Sequence, residues 1–190
     1  MTKIDLSPFI IKHHLPDTFI GQAEKWFIPL AKKIVLHQKK ANTPIVIGIN
    51  GAQGSGKSTL ADLLVFLFQH DHLKATSLSL DDFYLTFQDR VKLAERIHPL
   101  FVTRGAPGTH DIELATNTLH QLLNNDGTTR IPRFNKAADN RLPAKQWDSV
   151  TGPLDIIVIE GWCLGAEPQD KSTLLHPIND LEEQLDPDGR

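Results

Sequence analysis

The chain has 190 residues, 40% hydrophobic and 23% charged, the size and balance of one globular domain rather than a disordered or fibrous chain. Twenty Lys and Arg against 23 Asp and Glu leave a formal net charge of -3, which gives no bulk attraction to nucleic acid or anionic lipid. The single cysteine, Cys163, excludes an internal disulfide, no run reaches the ~18 apolar residues of a membrane helix, and residues 1–17 lack a secretory signal's apolar core and cleavage site, so a cytoplasmic location is expected.

Between Asp17 and Lys40, apolar residues recur at Phe19, Ala23, Trp26, Phe27, Leu30, Ile34 and Val35, the spacing of one helical face. Asp17 or Thr18 suits the N-cap, and Pro29 inside the pattern predicts a kink or two helices end to end. Lys32, Lys33, Lys39 and Lys40 read as a solvated face near a helix C-terminus, where cations suit the helix dipole. Residues 1–43 thus read as a helical extension packed on a main domain at 44–190. Pro44 opens PIVIGIN, a β-branched apolar run that predicts a buried parallel strand. Glycines break it at residues 51–56, and helical periodicity resumes at Leu60, Leu63, Leu64 and Leu67. A second strand is predicted over Lys74–Leu80, ended by Asp81 and Asp82, then a helix over Phe87–Arg96. Pro99, Gly105, Pro107 and Gly108 mark a loop, followed by a helix over Ile112–Leu123 and a strand over Thr128–Arg133. Residues 135–153 are polar and carry Pro143 and Pro153, whereas Leu154–Ile159 is the most apolar run and reads as the central strand. Beyond Trp162 only a modest helical pattern stands out, near Leu174–Leu185. Strands alternating with helices imply an α/β fold: a parallel sheet with helices on both faces, preceded by an N-terminal helix.

Gly51-Ala52-Gln53-Gly54-Ser55-Gly56-Lys57-Ser58 fits the phosphate-loop pattern G-x-x-x-x-G-K-[ST] at every position. Glycines let successive backbone N–H groups curl toward phosphate oxygens, and the following helix adds its N-terminal dipole. Lys57 is placed for the β/γ-phosphates, Ser58 for Mg²⁺ and Thr59 for the α-phosphate. The pattern follows a predicted strand and opens a predicted helix, which is its required context.

The reaction has to be read from other residues. The base-reading N-K-x-D of GTPases is approached only by Asn135-Lys136-Ala137-Ala138-Asp139, whose Asp is one position late, and we read it as accidental. The L-S-G-G-Q signature of transport ATPases is absent. Glu160 alone ends the apolar strand and suits an Mg²⁺-water partner. In Asp81-Asp82-Phe83-Tyr84 both carboxylates close a strand, where open α/β sheets place their ligands. Transfer of a phosphoryl group to an alcohol needs a carboxylate to accept the hydroxyl proton, and Asp81 suits that task; an Asx turn or helix cap is the competing reading for both aspartates.

A phosphate loop, Ser-x-Asp-Asp-Phe-Tyr and a strand ending Glu-Gly together resemble the phosphoribulokinase/uridine kinase/pantothenate kinase group of P-loop small-molecule kinases. Further segments are similar to its D-glycerate 3-kinase branch: Gly48 to Leu60, Leu80 to Thr86, Arg104-Gly105-Ala106-Pro107-Gly108-Thr109-His110-Asp111, Ile131 to Phe134 with Lys136-Ala137, and Glu160 to Gly165. Trp26 and Pro29-Leu30-Ala31 also fit that branch, so the resemblance spans about residues 15–189. It implies the P-loop nucleoside triphosphate hydrolase fold, ATP and Mg²⁺ as cofactors, and a small-molecule acceptor. It further implies Asp81 as catalytic base, and Lys57, Ser58, Glu160 and Asp81 as the phosphate and metal apparatus. The acceptor site is expected from Asp82, Tyr84, Arg104, His110, Asp111, Arg133, Lys136 and Arg141. A glycerate carboxylate wants an Arg or Lys, for which Arg104, Arg133, Lys136 and Arg141 are the candidates. His110 could bind an acceptor oxygen or simply bond backbone. Asn135 stands where the branch commonly has Asp. The branch also continues past residue 190 with a lid and a further strand, so part of the lid and adenine pocket is expected to be missing here. D-Glycerate is the expected acceptor; a pantothenate- or uridine-type kinase and a non-catalytic ATP-binding module are the alternatives.

Nine histidines include the clusters His13-His14 and His70-Asp71-His72, neither with metal-ligand spacing. Cys163 reads as a buried small hydrophobe, and Trp147 and Trp162 as packing anchors near the site.

Overall fold

The computed structural model describes residues 4–186. In chain order its helices and strands are α1 (Ser7–His13), α2 (Thr18–Gln22), α3 (Ile28–Ala41), β1 (Ile45–Asn50), α4 (Lys57–His70), β2 (Ala75–Ser79), α5 (Phe87–Arg96) and α6 (Ile112–Asn124). They continue as β3 (Thr128–Ile131), β4 (Phe134–Asn135), β5 (Asn140–Arg141), β6 (Asp148–Thr151), β7 (Ile156–Gly161) and α7 (Asp180–Leu185).

β1, β7 and β2 form one parallel sheet in the order β1-β7-β2. β7 is central and buried along its whole length, which explains its unbroken apolar run. Ile156 and Val158 pack on one face against Leu63, Leu64, Leu67 and Phe68 of α4. Ile157 and Ile159 pack on the other face with Ala115 and Leu122 of α6. Each such side chain contributes about 1.5–3 kcal/mol of burial. The sheet is therefore parallel with helices on both faces, as the sequence implied. Leu6, Phe9, Ala23, Ala31 and Val35 join the core on the α4 side, so the N-terminal helices pack into it directly.

The N-terminal helices depart from the expected pattern in detail. α1 was not foreseen, although Pro8 opens it and Phe9 and Ile10 are its buried residues. Two helices do lie end to end here: α2 meets α3 through a π-helical turn at Ala23–Phe27, and Pro29 falls at the start of α3 just after that turn. That turn closes i→i+5 bonds and rotates the apolar phase, leaving Trp26 61% and Leu30 39% exposed, while Ala31 and Val35 are buried. Asp17 precedes α2 but makes no side-chain cap bond.

The strand expected over Thr128–Arg133 forms as β3, but outside the parallel sheet. It pairs antiparallel with β6, inside the polar stretch at residues 135–153. β3 buries alternate residues, Thr129 and Ile131, as a ribbon with one covered face does. β4 and β5 make a short antiparallel hairpin beside it. The modest pattern near Leu174–Leu185 resolves into a 3-10 turn at Lys171–Leu174 and α7, capped by the Asn179 side chain on the Glu182 N–H.

Candidate active site

Sheet register brings three motifs to one edge. Glu160 sits opposite Ile49 on one side and Ser79 on the other. Two residues further along each strand lie Gly51, Trp162 and Asp81, at the carboxyl ends where α/β sheets bind ligands. A cleft of about 240 Å³ opens there, with Gln53, Lys57 and Ser58 on one wall, Asp81 and Lys136 on the other, and Glu160 between. A larger cavity of about 330 Å³ lies away from these motifs, between α1, α4 and β2. Two of its polar side chains are bonded within the fold, Ser77 donating to Asp62 at 2.8 Å and Gln69 to the Ala75 carbonyl at 3.2 Å.

The phosphate wall is made mostly of backbone. Gly54 and Gly56 take φ of 75° and 85°, which residues with a Cβ adopt only at a cost, and this curls the loop onto the N-terminus of α4. Lys57 folds its ammonium back onto the Ala52 carbonyl at 2.8 Å. The Ser58 hydroxyl donates to Glu160 Oε1 at 3.0 Å, joining the helix start to the end of β7. Gly51, Ala52 and Ser55 complete the loop, and Thr59 lies half-buried in the first turn of α4. Asn50 holds the loop's entry by donating to the Leu164 carbonyl at 2.6 Å.

The acceptor wall is made of side chains. Leu80–Phe83 forms a 3-10 turn that presents Asp81 to the cleft. Asp81 Oδ1 accepts from the Tyr84 hydroxyl at 3.2 Å, and Oδ2 accepts from Lys136 at 2.7 Å. Burial, reinforced by the Asp81 charge, pushes the Tyr84 phenol well up, so it stays a donor. Tyr84 stacks on His110 at 4.4 Å, and the two are bridged through their backbones. His110 is buried and its Nε2 has no hydrogen-bond partner; burial lowers its pKa, partly offset by the Asp81 charge.

The remaining acceptor candidates are tied to one another, and none lines the cleft. Asp82 accepts from Arg133 at 2.6 Å and from the Phe134 N–H at 2.9 Å, anchoring β4 beside Asp81. Arg133 also binds Asp148 at 2.7 Å, and both carboxylates raise its pKa against the opposing effect of burial. Arg141 binds Asp111 and the Tyr84 carbonyl, each at 2.9 Å, while Asp111 caps α6 on the Leu114 N–H. Arg104 pairs with Asp139 and lies over the Phe134 ring. Of the four cations expected for an acceptor carboxylate, Lys136 lines this cleft, and Arg133 lines an adjoining cavity that shares Ser58, Ser79 and Glu160 with it.

Two residues that the sequence reading passed over hold this wall together. Arg90 is fully buried and donates to the carbonyls of Val102, Leu85 and Asp139 and to the Asp139 carboxylate at 2.6 Å. Asp139 therefore binds Arg90 and Arg104 at once. Its only sequence signal was the Asn-Lys-x-x-Asp pattern that we set aside as an off-register base reader. Cys163 is half-buried rather than buried, and desolvation raises its thiol, which disfavours a thiolate at neutral pH. Trp162 donates to the Gly105 carbonyl at 2.9 Å and Trp147 to the Leu142 carbonyl at 2.7 Å, each clamping a loop. Among the described residues no helix is long and apolar enough to cross a membrane.

D-Glycerate 3-kinase, chloroplastic, of Arabidopsis thaliana is 37% identical over 156 residues, which cover 75% of this chain and 34% of that protein. A pantothenate kinase of Lactiplantibacillus plantarum is 24% identical over 159 residues, covering 83% of this chain and 50% of that one. The solved structure of D-glycerate 3-kinase from Cryptococcus neoformans var. grubii matches with a TM-score of 0.65 at 32% identity, covering 78% of this chain and 57% of that one. The chain spans 34% to 52% of the length of the first three curated relatives. The model of the phosphoribulokinase / uridine kinase family matches residues 46–176, more than half of the sequence, and the chain belongs to that family.

Proposed function

We propose that this chain carries the phosphoryl-transfer site of a kinase acting on a hydroxyl of a small acid, D-glycerate foremost. The observation that carries the reading is the convergence of Lys57, Ser58, Glu160 and Asp81 on one cleft. The acceptor oxygen forms a bond to the γ-phosphorus as the bond to the ADP oxygen breaks, and the electron pair of that bond leaves with ADP. Asp81 takes the hydroxyl proton, with Tyr84 holding its other oxygen. Lys57 and the loop N–H groups stabilise charge on the transferring group. The similarity to D-glycerate 3-kinases supports the acceptor, and the pantothenate kinase similarity keeps a related acid in view.

Ser58, Glu160 and Asp81 would hold Mg²⁺. They offer oxygen donors only, and among the described residues no group of three or more His, Cys, Asp or Glu forms a metal cage. That suits a hard ion that keeps water and phosphate ligands. Bound Mg²⁺ would supply charge neutralisation on the phosphate oxygens.

The test is ADP release from ATP by the purified protein, with D-glycerate, pantothenate and uridine as acceptors. D-Glycerate is expected to stimulate release most. ATP binding with no stimulation by any acceptor would instead identify a non-catalytic nucleotide-binding module.

A further inference from the structure

The cavity of about 330 Å³ between α1, α4 and β2 shares no lining residue with the catalytic cleft. Its volume lies at the lower end of those that hold a small ligand. Pro8, Phe9, Val65 and Phe66 give it an apolar side, with the Phe9 and Phe66 rings 5.8 Å apart. Its polar side carries both signs of charge. Asp62 Oδ1 accepts from Ser77 at 2.8 Å, whereas the one ion contact of Oδ2 is His13 Nε2 at 3.7 Å, too long for a hydrogen bond. That nitrogen is itself buried without a hydrogen-bond partner. Lys12 lines the cavity from the last turn of α1, and among the described residues its ammonium has no ion pair or hydrogen bond. β2 is an edge strand, paired with β7 alone. Its Ala75 carbonyl accepts from Gln69 on the cavity wall, and strand alternation turns the Ser77 N–H to the same side.

Each open group calls for a different part of one ligand. Asp62 Oδ2 calls for a cationic donor, Lys12 and the Ser77 N–H for an anionic acceptor, and the two rings for an apolar body. A simple anion would meet the Asp62 charge, and a simple cation the Lys12 charge, whereas a zwitterion satisfies both. We infer that this cavity is a second small-molecule site, and that it takes a free α-amino acid with an apolar side chain. The ammonium sits on Asp62, the carboxylate takes Lys12 and the Ser77 N–H, and the side chain lies against Phe9, Val65 and Phe66. The ligand thus adds one residue to the open edge of β2. The inference goes beyond the phosphotransferase reading and does not rest on it.

Titration calorimetry on the full chain without ATP tests it. L-Leucine is the probe, beside 4-methylpentanoate, which lacks the ammonium, 3-methylbutylamine, which lacks the carboxylate, and glycine, which lacks the side chain. L-Leucine should saturate one site, and each analogue should bind at least about 10-fold more weakly, the worth of one hydrogen bond to a charged group or of a few buried CH₂ groups. Asp62→Asn keeps an acceptor for Ser77 and should weaken L-leucine about 10- to 100-fold. Lys12→Met removes an exposed ammonium and should cost about 2- to 5-fold. Thermal unfolding checks that each variant folds, and the analogues on the unaltered chain decide the matter if one does not. No saturable binding of L-leucine up to ~10 mM overturns the inference. So does equal binding of either one-charge analogue or of glycine, or an unchanged affinity in a folded Asp62→Asn.

Discussion

On the phosphate side of the cleft, Gly51 to Ser58 and Glu160 lie at the ends of β1 and β7 and the start of α4, elements packed through the main core. On the acceptor side, Asp81 and Lys136 meet from 55 positions apart, and five arginine-to-aspartate ion pairs support the hairpin that carries Lys136. The first wall is held by strand register and backbone conformation. The second is held by charge pairing between segments that meet only on folding.

The contrast predicts where each wall fails. Lys57→Ala should remove charge stabilisation at the transferring group and lower kcat/KM by about 10³-fold. Lys57 contacts only a loop carbonyl, so Tm should shift by less than about 2 °C in the same protein. Asp139→Ala should do the reverse. It leaves the fully buried Arg90 guanidinium without its carboxylate, a loss of about 3 kcal/mol, or roughly 6–12 °C in Tm for a chain of this size. Thermal unfolding monitored by circular dichroism separates the two variants.

Gly56→Ala sharpens the comparison, because it strains the backbone of the phosphate wall. A Cβ there meets open space, so the cost is conformational alone, about 1–2 kcal/mol, with weaker ATP binding by titration calorimetry. The smallest effect is on pH dependence. Burial lowers the His110 pKa in the folded state, so below the ordinary histidine value near 6.5 the unfolded chain binds more protons. Stability should fall as pH drops through that range and be complete above it. His110→Phe, which keeps the stack on Tyr84, should flatten the decline in urea unfolding between about pH 7 and 5. An unaltered slope would show that His110 is not the group responsible.

The same division governed what could be read in the sequence. Lys57, Ser58, Asp81 and Glu160 each sit in a local pattern whose neighbours state its setting, a β-branched strand before or a helical period after. Burial of β7 on both faces writes itself as an uninterrupted apolar run. β4 and β5 have two residues each, too few for any period, and in β6 only Val150 is even half-buried, so it shows no apolar alternation. Arg90 looks like any helix-surface arginine in sequence, and its burial follows from segments around residues 85, 102 and 139 closing over it. The π turn at Ala23–Phe27 has no residue signature, so Trp26 and Leu30 were assigned to the wrong face. Four cations were proposed for an acceptor carboxylate because composition shows which charges exist, and only the fold shows which are already paired.

Asp81→Asn tests the central claim most directly. The amide keeps the size of the side chain and an acceptor oxygen for Tyr84 but loses the basic carboxylate. ATP affinity and acceptor-dependent phosphoryl transfer are measured on the same preparation. The account predicts ATP affinity close to that of the wild type and transfer reduced by about 10²- to 10⁴-fold. Undiminished transfer in Asp81→Asn would contradict it.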